Sequence, residues 1–116
     1  MTKQISLKIK PLSVNQAWQG RRFKTGTYKE YEKAVSLLIS DKHNPIKGLV
    51  EVDYEFGLCG KGFSSSDVSN LIKCLEDILV KCGVIEDDRK VMKFSASKVK
   101  SGTSEFINIK IKPYEN

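Results

Sequence analysis

The sequence predicts an α+β fold, a two-layer β-α-β-α-β-β domain in which a mixed sheet carries two helices packed on one face. Three observations predict it. Residues 3–10, 49–58 and 105–112 alternate apolar and polar side chains, the period-two pattern of strands with one buried face. Residues 27–40 and 67–82 place their apolar side chains at steps of three and four, the helical period. The second face of each strand is polar, so helices are needed on only one side of the sheet. The chain has 116 residues and no repeat, low-complexity tract or long linker, so residues 1–116 are expected to form one domain.

Each element has its own justification. In the first strand Ile5, Leu7 and Ile9 lie opposite Ser6, Lys8 and Lys10, and Pro11 ends the run. Residues 12–27 read as a loop containing Gly20, Gly26 and the basic cluster Arg21, Arg22 and Lys24. The first helix gathers Tyr31, Ala34, Val35, Leu38 and Ile39 on one face, and Pro45 and Gly48 punctuate the segment that follows. The second strand alternates Val50, Val52, Tyr54, Phe56 and Leu58 with Glu51, Asp53 and Glu55. Along the second helix Val68, Leu71, Ile72, Leu75, Ile78, Leu79 and Cys82 fill an arc of roughly 120°, and Gly83 stands where a helix commonly stops. A further strand is expected within 91–99, and the last sets Ile107, Ile109 and Ile111 opposite Asn108, Lys110 and Lys112. The polar faces then carry Lys8, Lys10, Lys110 and Lys112 against Glu51, Asp53 and Glu55, a set suited to cross-strand pairing.

Composition narrows the class of protein. A hydrophobic content of 40% is that of a globular chain, not of a disordered tail. No apolar run approaches the ~18 residues of a membrane span, and the first ten residues hold no signal-peptide core, so neither a membrane partner nor secretion is expected. Cys59, Cys74 and Cys82 form an odd set without CxxC spacing, as free thiols in a reducing cytoplasm would. With His43 as the one histidine they lack the close ligand pairs of a zinc site. The net charge of +6 suits a polyanionic partner, although strand pairing accounts for many of the lysines.

The chemistry concentrates in residues 63–91. Opposite the apolar arc of the second helix stand Ser69, Lys73 and Asp77 at successive i, i+4 steps, with Asn70 beside them, Asp67 at the helix start and Glu86, Asp87 and Asp88 past Gly83. A helix of about 16 residues is roughly 24 Å long, and the five steps from Gly83 to Asp88 reach back up to about 17 Å. If the chain doubles back, Asp88 lies within about 8 Å of the first turns, measured along the helix axis. Two carboxylates then converge near one lysine, the set required by a metal-dependent phosphodiesterase: oxygen ligands for a hard cation and an ammonium group to offset phosphorane charge. Each residue also has a plainer reading. Asp67 after a serine run is a natural N-cap. Lys73 pairs with Asp77, Asn70 serves local hydrogen bonding, and the acidic knot forms a solvated turn.

The same stretch resembles the RusA-type Holliday-junction resolvases of bacteria and their phages. The family pattern has aspartates at its first and third positions, then Asn, two residues and Lys, followed by a Leu- and Asp-rich helix, a Gly and an Asp-Asp pair. Here it reads Asp67-Val68-Ser69-Asn70-Leu71-Ile72-Lys73, then Asp77, Gly83 and Asp87-Asp88, without a gap. Pro11-Leu12-Ser13-Val14-Asn15, Trp18, Arg21 and Arg22 extend the likeness toward the N-terminus. The resemblance implies a homodimer that binds a four-way DNA junction and nicks two opposed strands, with Mg²⁺ (or Mn²⁺ in its place) held by aspartates. It implies Asp67 and Asp88 as catalytic metal ligands, Lys73 as the catalytic lysine and Asn70 as a supporting residue. Asp87 and Ser69 join the candidate ligands.

Ser69 is a departure, since a hydroxyl stands where better-known members carry an aspartate. It brings no charge to a site that must hold Mg²⁺. Asp87 or Glu86 is then the candidate for the missing carboxylate, and a non-catalytic branched-DNA-binding protein is the alternative reading. Between residues 18 and 29, Trp18, Arg21, Arg22, Phe23, Lys24, Tyr28 and Lys29 mix basic and aromatic side chains as contacts to a DNA junction would; Trp18, Arg21, Arg22 and Lys24 are the candidate DNA-binding residues.

Overall fold

A computed structural model describes residues 3–12, 18–19, 23–24, 26–39, 46–60, 68–102 and 104–114. In chain order the elements are β1 (Lys3–Leu7), β2 (Trp18–Gln19), β3 (Phe23–Lys24), α1 (Gly26–Ile39), β4 (Val50–Leu58), α2 (Val68–Lys81), a 3-10 turn (Asp88–Lys90), β5 (Val91–Lys100) and β6 (Phe106–Pro113). The main sheet has the order β1-β6-β4-β5. Its β1–β6 and β4–β6 pairs are antiparallel and its β4–β5 pair is parallel, so the sheet is mixed, as expected.

β1 is shorter than its alternating pattern. Leu7 pairs with Ile107, and β6 begins one residue earlier at Phe106, so residues 9 and 10 run past the end of the partner strand. Within the segment expected to be a loop, β2 and β3 form a separate two-stranded sheet, pairing Trp18 with Lys24 and Gln19 with Phe23. The isolated pairing of so few residues left no hydrophobic alternation to read.

The core lies between the sheet and the two helices. Ile5, Leu7, Val52, Tyr54, Phe56, Ile107, Ile109 and Ile111 are buried beneath α1 and α2. From α2 the buried positions are Leu71, Ile72, Cys74, Leu75, Ile78 and Leu79, the predicted arc widened by Cys74. α1 is turned slightly from expectation. Tyr28, Tyr31, Val35 and Ile39 face inward, whereas Leu38 is exposed. Lys81 of α2 ties the helices together by an ion pair to Glu32 of α1 at 3.0 Å.

The sheet's other face is polar and concave, a hollow of about 420 Å³ lined by Gln4, Ser6, Asp53, Glu55, Ser95, Ser97, Asn108 and Lys110. The register accounts for its charges. Glu51 faces Lys112 and accepts from its ammonium at 2.8 Å, Glu55 accepts from Asn108 at 2.9 Å, and Asp53 accepts from the Ser95 hydroxyl. Acidic β4 thus sits between strands that supply its donors, the cross-strand use foreseen for Lys112.

Gly57 is the one break in the β4 side-chain pattern. Its register partner Phe106 lays its ring over the glycine, and any Cβ there falls inside the ring's van der Waals envelope. Gly57→Ala is therefore expected to displace Phe106 and lower stability by about 1–2 kcal/mol, within the range for overpacking. Urea denaturation would measure it, and restoring stability by Phe106→Leu in the same chain would tie the loss to that ring.

Candidate active site

The site is built from the exposed face of α2 and the turn that follows it. Ser69 and Lys73 lie on that exposed face. Lys73 is 58% exposed, and its ammonium stands 3.7 Å from Asp77, one turn along, so the pairing expected from spacing is present but loose. Asp67 lies outside the described residues, as does the side chain of Asn70.

The chain reverses at Gly83. Its φ of +78° is the left-handed conformation that glycine adopts without Cβ strain. The amide of Gly83 bonds to Val80 O at 3.0 Å and that of Val84 to Leu79 O at 3.0 Å, which satisfies the last carbonyls of α2. Val84 and Ile85 are buried, and Ile85 bridges Ile46 while Ile46 N donates to Val84 O at 3.3 Å. Glu86 accepts from the Gly48 amide. The segment after the helix is thereby strapped to residues 46–48 before it reaches the acidic pair.

Asp87 then caps the 3-10 turn. Its carboxylate accepts from the Arg89 amide at 2.9 Å and from the Arg89 guanidinium at 2.9 Å. Those Arg89 hydrogen bonds hold its pKa far below the usual carboxylate range. Both Asp87 oxygens are therefore engaged locally, and Glu86 is engaged with Gly48. Asp88, the next residue, is exposed. The turn packs against α2.

Burial raises the pKa of half-buried Glu76; Lys73 opposes this, and Asp88 and Asp77 add to it. Asp88 thus adds like charge to Glu76, which lies two turns into α2 and three residues after Lys73. The turn that begins at Asp88 returns to α2, as the expected doubling back requires. Glu76 was not among the residues chosen from the sequence. The available signal was its position, one step off the apolar arc and three residues after Lys73.

Among the described residues no three His, Cys, Asp or Glu side chains converge on one point. Of the candidate DNA-binding residues, Arg21 and Arg22 lie outside the described residues, and Trp18 and Lys24 are placed by their backbone on the β2–β3 hairpin. Tyr28 is not available to a junction: it is buried on the inner face of α1. The cysteines are free, and burial, with the charge of Asp77, pushes the Cys74 thiol up to about 11.

Residues 9–112 match the family described as Endodeoxyribonuclease RusA. The chain belongs to the RusA endodeoxyribonuclease family. No curated protein matches it. The match takes in every residue from α1 to the end of the acidic turn, so the RusA family's reaction class, endonucleolytic cleavage of DNA, comes to this chain with the fold. The family acts on branched DNA junctions. No helix of the described residues is long and apolar enough to cross a membrane. The donors that the acidic turn presents are carboxylate oxygens, without His or Cys, which fits a hard divalent cation.

The raised pKa of Glu76 has a consequence for stability. A carboxyl with a folded pKa above its unfolded value favours the fold while protonated and loses that contribution as pH rises through the folded pKa. Glu76→Gln is expected to raise the urea midpoint at pH 7.5 and to converge with the unmodified protein near pH 3.5. Parallel curves across that range would assign the effect to packing instead of charge.

Proposed function

We propose that this protein is a Mg²⁺-dependent, structure-selective endonuclease that resolves four-way DNA junctions by paired symmetric nicks, acting as a homodimer in the cytoplasm. The reading rests on the packing of the turn that begins at Asp88 against α2, the helix that carries Lys73, within a chain of the RusA family. Asp67 and Asp88 would hold the cation, and Lys73 would meet the scissile phosphate. The loose pairing of Lys73 with Asp77 leaves its ammonium available to a phosphate that offers shorter contacts. The bound cation would supply a more acidic water and stabilise the leaving oxygen. Asp87 serves best as the residue that fixes the turn, because Arg89 occupies its carboxylate. Ser69 would lend an oxygen without charge. A two-fold dimer suits the task, since it sets two equivalent sites on two opposed strands. Arg21, Arg22, Lys24 and Trp18 remain the proposed contacts to the junction.

Ser69 also sustains a second reading, a protein that binds branched DNA and does not cut it. The two separate in one assay. A synthetic four-way junction and a matched linear duplex are incubated with the protein in Mg²⁺ or EDTA. Paired nicks in the junction alone, lost in EDTA and in Asp88→Asn, are expected. Tight binding without nicks, even in Mn²⁺, would replace the nuclease by the binding protein. Asp67→Asn should abolish cleavage and leave the thermal midpoint nearly unchanged, because both residues cap helices well. Unchanged cleavage by that variant would remove Asp67 from the metal site.

A further inference from the structure

The strand that leaves the proposed site is unusual for its place in the sheet. β5 pairs in parallel with β4 and, among the described residues, has no strand on its other side. Parallel strands are commonly covered on both faces. Here Met92, Lys93, Phe94, Ser95, Ser97 and Lys100 are all exposed. The register slips between Val50 and Glu51, pairing them with Val91 and Lys93, so Met92 bulges from the ladder directly after the acidic turn. Phe94 is 56% exposed and Met92 45%.

The charge along this edge has one sign. From Arg89 to Lys100 the sequence holds Arg89, Lys90, Lys93, Lys98 and Lys100 and no carboxylate. Lys93 faces Glu51 across the register, but Glu51 is already engaged by Lys112. Lys93 lies on the polar face of the sheet and Lys100 on the helix side, so the edge offers cations on both of its flanks.

We propose that the outer edge of β5 is a DNA-binding track along which one arm of the substrate runs away from Asp88. This rests on the nuclease reading above and adds a surface to it. Lys93 and Lys100 would contact phosphates, and Phe94 would lie against a sugar or an opened base. Charge complementarity selects the occupant: a polyanion gains from this edge, whereas a second β5 would bring lysines against lysines. Position selects it too, because Asp88 is three residues from the start of the strand. The strand extends about 30 Å, close to one turn of duplex at about 34 Å.

The competing account is that the lysines only protect an open edge from self-association. Lys93→Gln/Lys100→Gln and Phe94→Ala are compared with the unmodified protein for folding by circular dichroism, oligomeric state by sedimentation, and junction binding and nicking over a salt series. The track predicts that the double lysine variant keeps its fold and oligomeric state. It predicts junction affinity lower on the order of 10-fold at 0.15 M salt, with a salt slope shallower by about two. Phe94→Ala should weaken binding with the slope unchanged. Unaltered affinity and slope, or weakened binding traced to a changed oligomeric state, would overturn the track. If the unmodified protein cuts junctions in such a case, the nuclease reading survives alone. Binding that weakens as predicted in a protein that never nicks would keep the track and remove the nuclease. A protein that binds no DNA would remove both.

Discussion

Two neighbouring parallel strands cannot be joined by a hairpin; the chain must return the full length of the sheet before the second strand begins. In this protein α2 is that return, and the site follows from it. Between β4 and β5 the chain descends as a helix, turns at Gly83 and must start β5 at the level of Val50. The buried pair Val84–Ile85, bridged to Ile46, fixes where the turn ends. The residues between that bridge and Val91 have no freedom to stray from the helix. The turn that begins at Asp88 therefore meets α2 as a result of topology, and the same crossover that builds the core positions the acidic turn.

The long elements were legible because their patterns are dictated by burial. β4 alternates over its whole length, and α2 carries an apolar arc bounded by a left-handed glycine; both stand within a residue or two of expectation. β1 was overextended because alternation records which side chains can face a core, not how far the partner strand reaches. The β2–β3 pair could not be read, since two residues a side contain less than one period of a useful pattern. α1 shows a subtler failure. Leu38 was expected on the buried face, yet Tyr28 joins Tyr31, Val35 and Ile39 there and Leu38 remains exposed.

For the site, spacing anticipated the reversal after Gly83 and the return of the turn to α2, but not the division of labour among the carboxylates. Three acidic residues in a row are equivalent in a sequence. Folded, Glu86 serves Gly48 and Asp87 serves Arg89, while Asp88 stays exposed. Hydrogen bonds to backbone amides, invisible in a residue string, make that distinction. Glu76 was missed for a related reason: its character comes from partial burial beside Tyr54 and from like charge at Asp77 and Asp88.

The strand order also sets a schedule for folding. β6 lies between β1 and β4, yet of the sheet's strands it is the last to be synthesised. Until it emerges, β1 has no partner and β4 offers a bare hydrogen-bonding edge beside a half-covered apolar face. The β4–α2–β5 unit can assemble first, from neighbouring segments, whereas β1 must wait for a contact that spans nearly the entire chain. Such long-range closure slows folding and leaves strand edges open during synthesis. The acidic turn, carried by the early unit, can thus be in place before the sheet that supports it is complete.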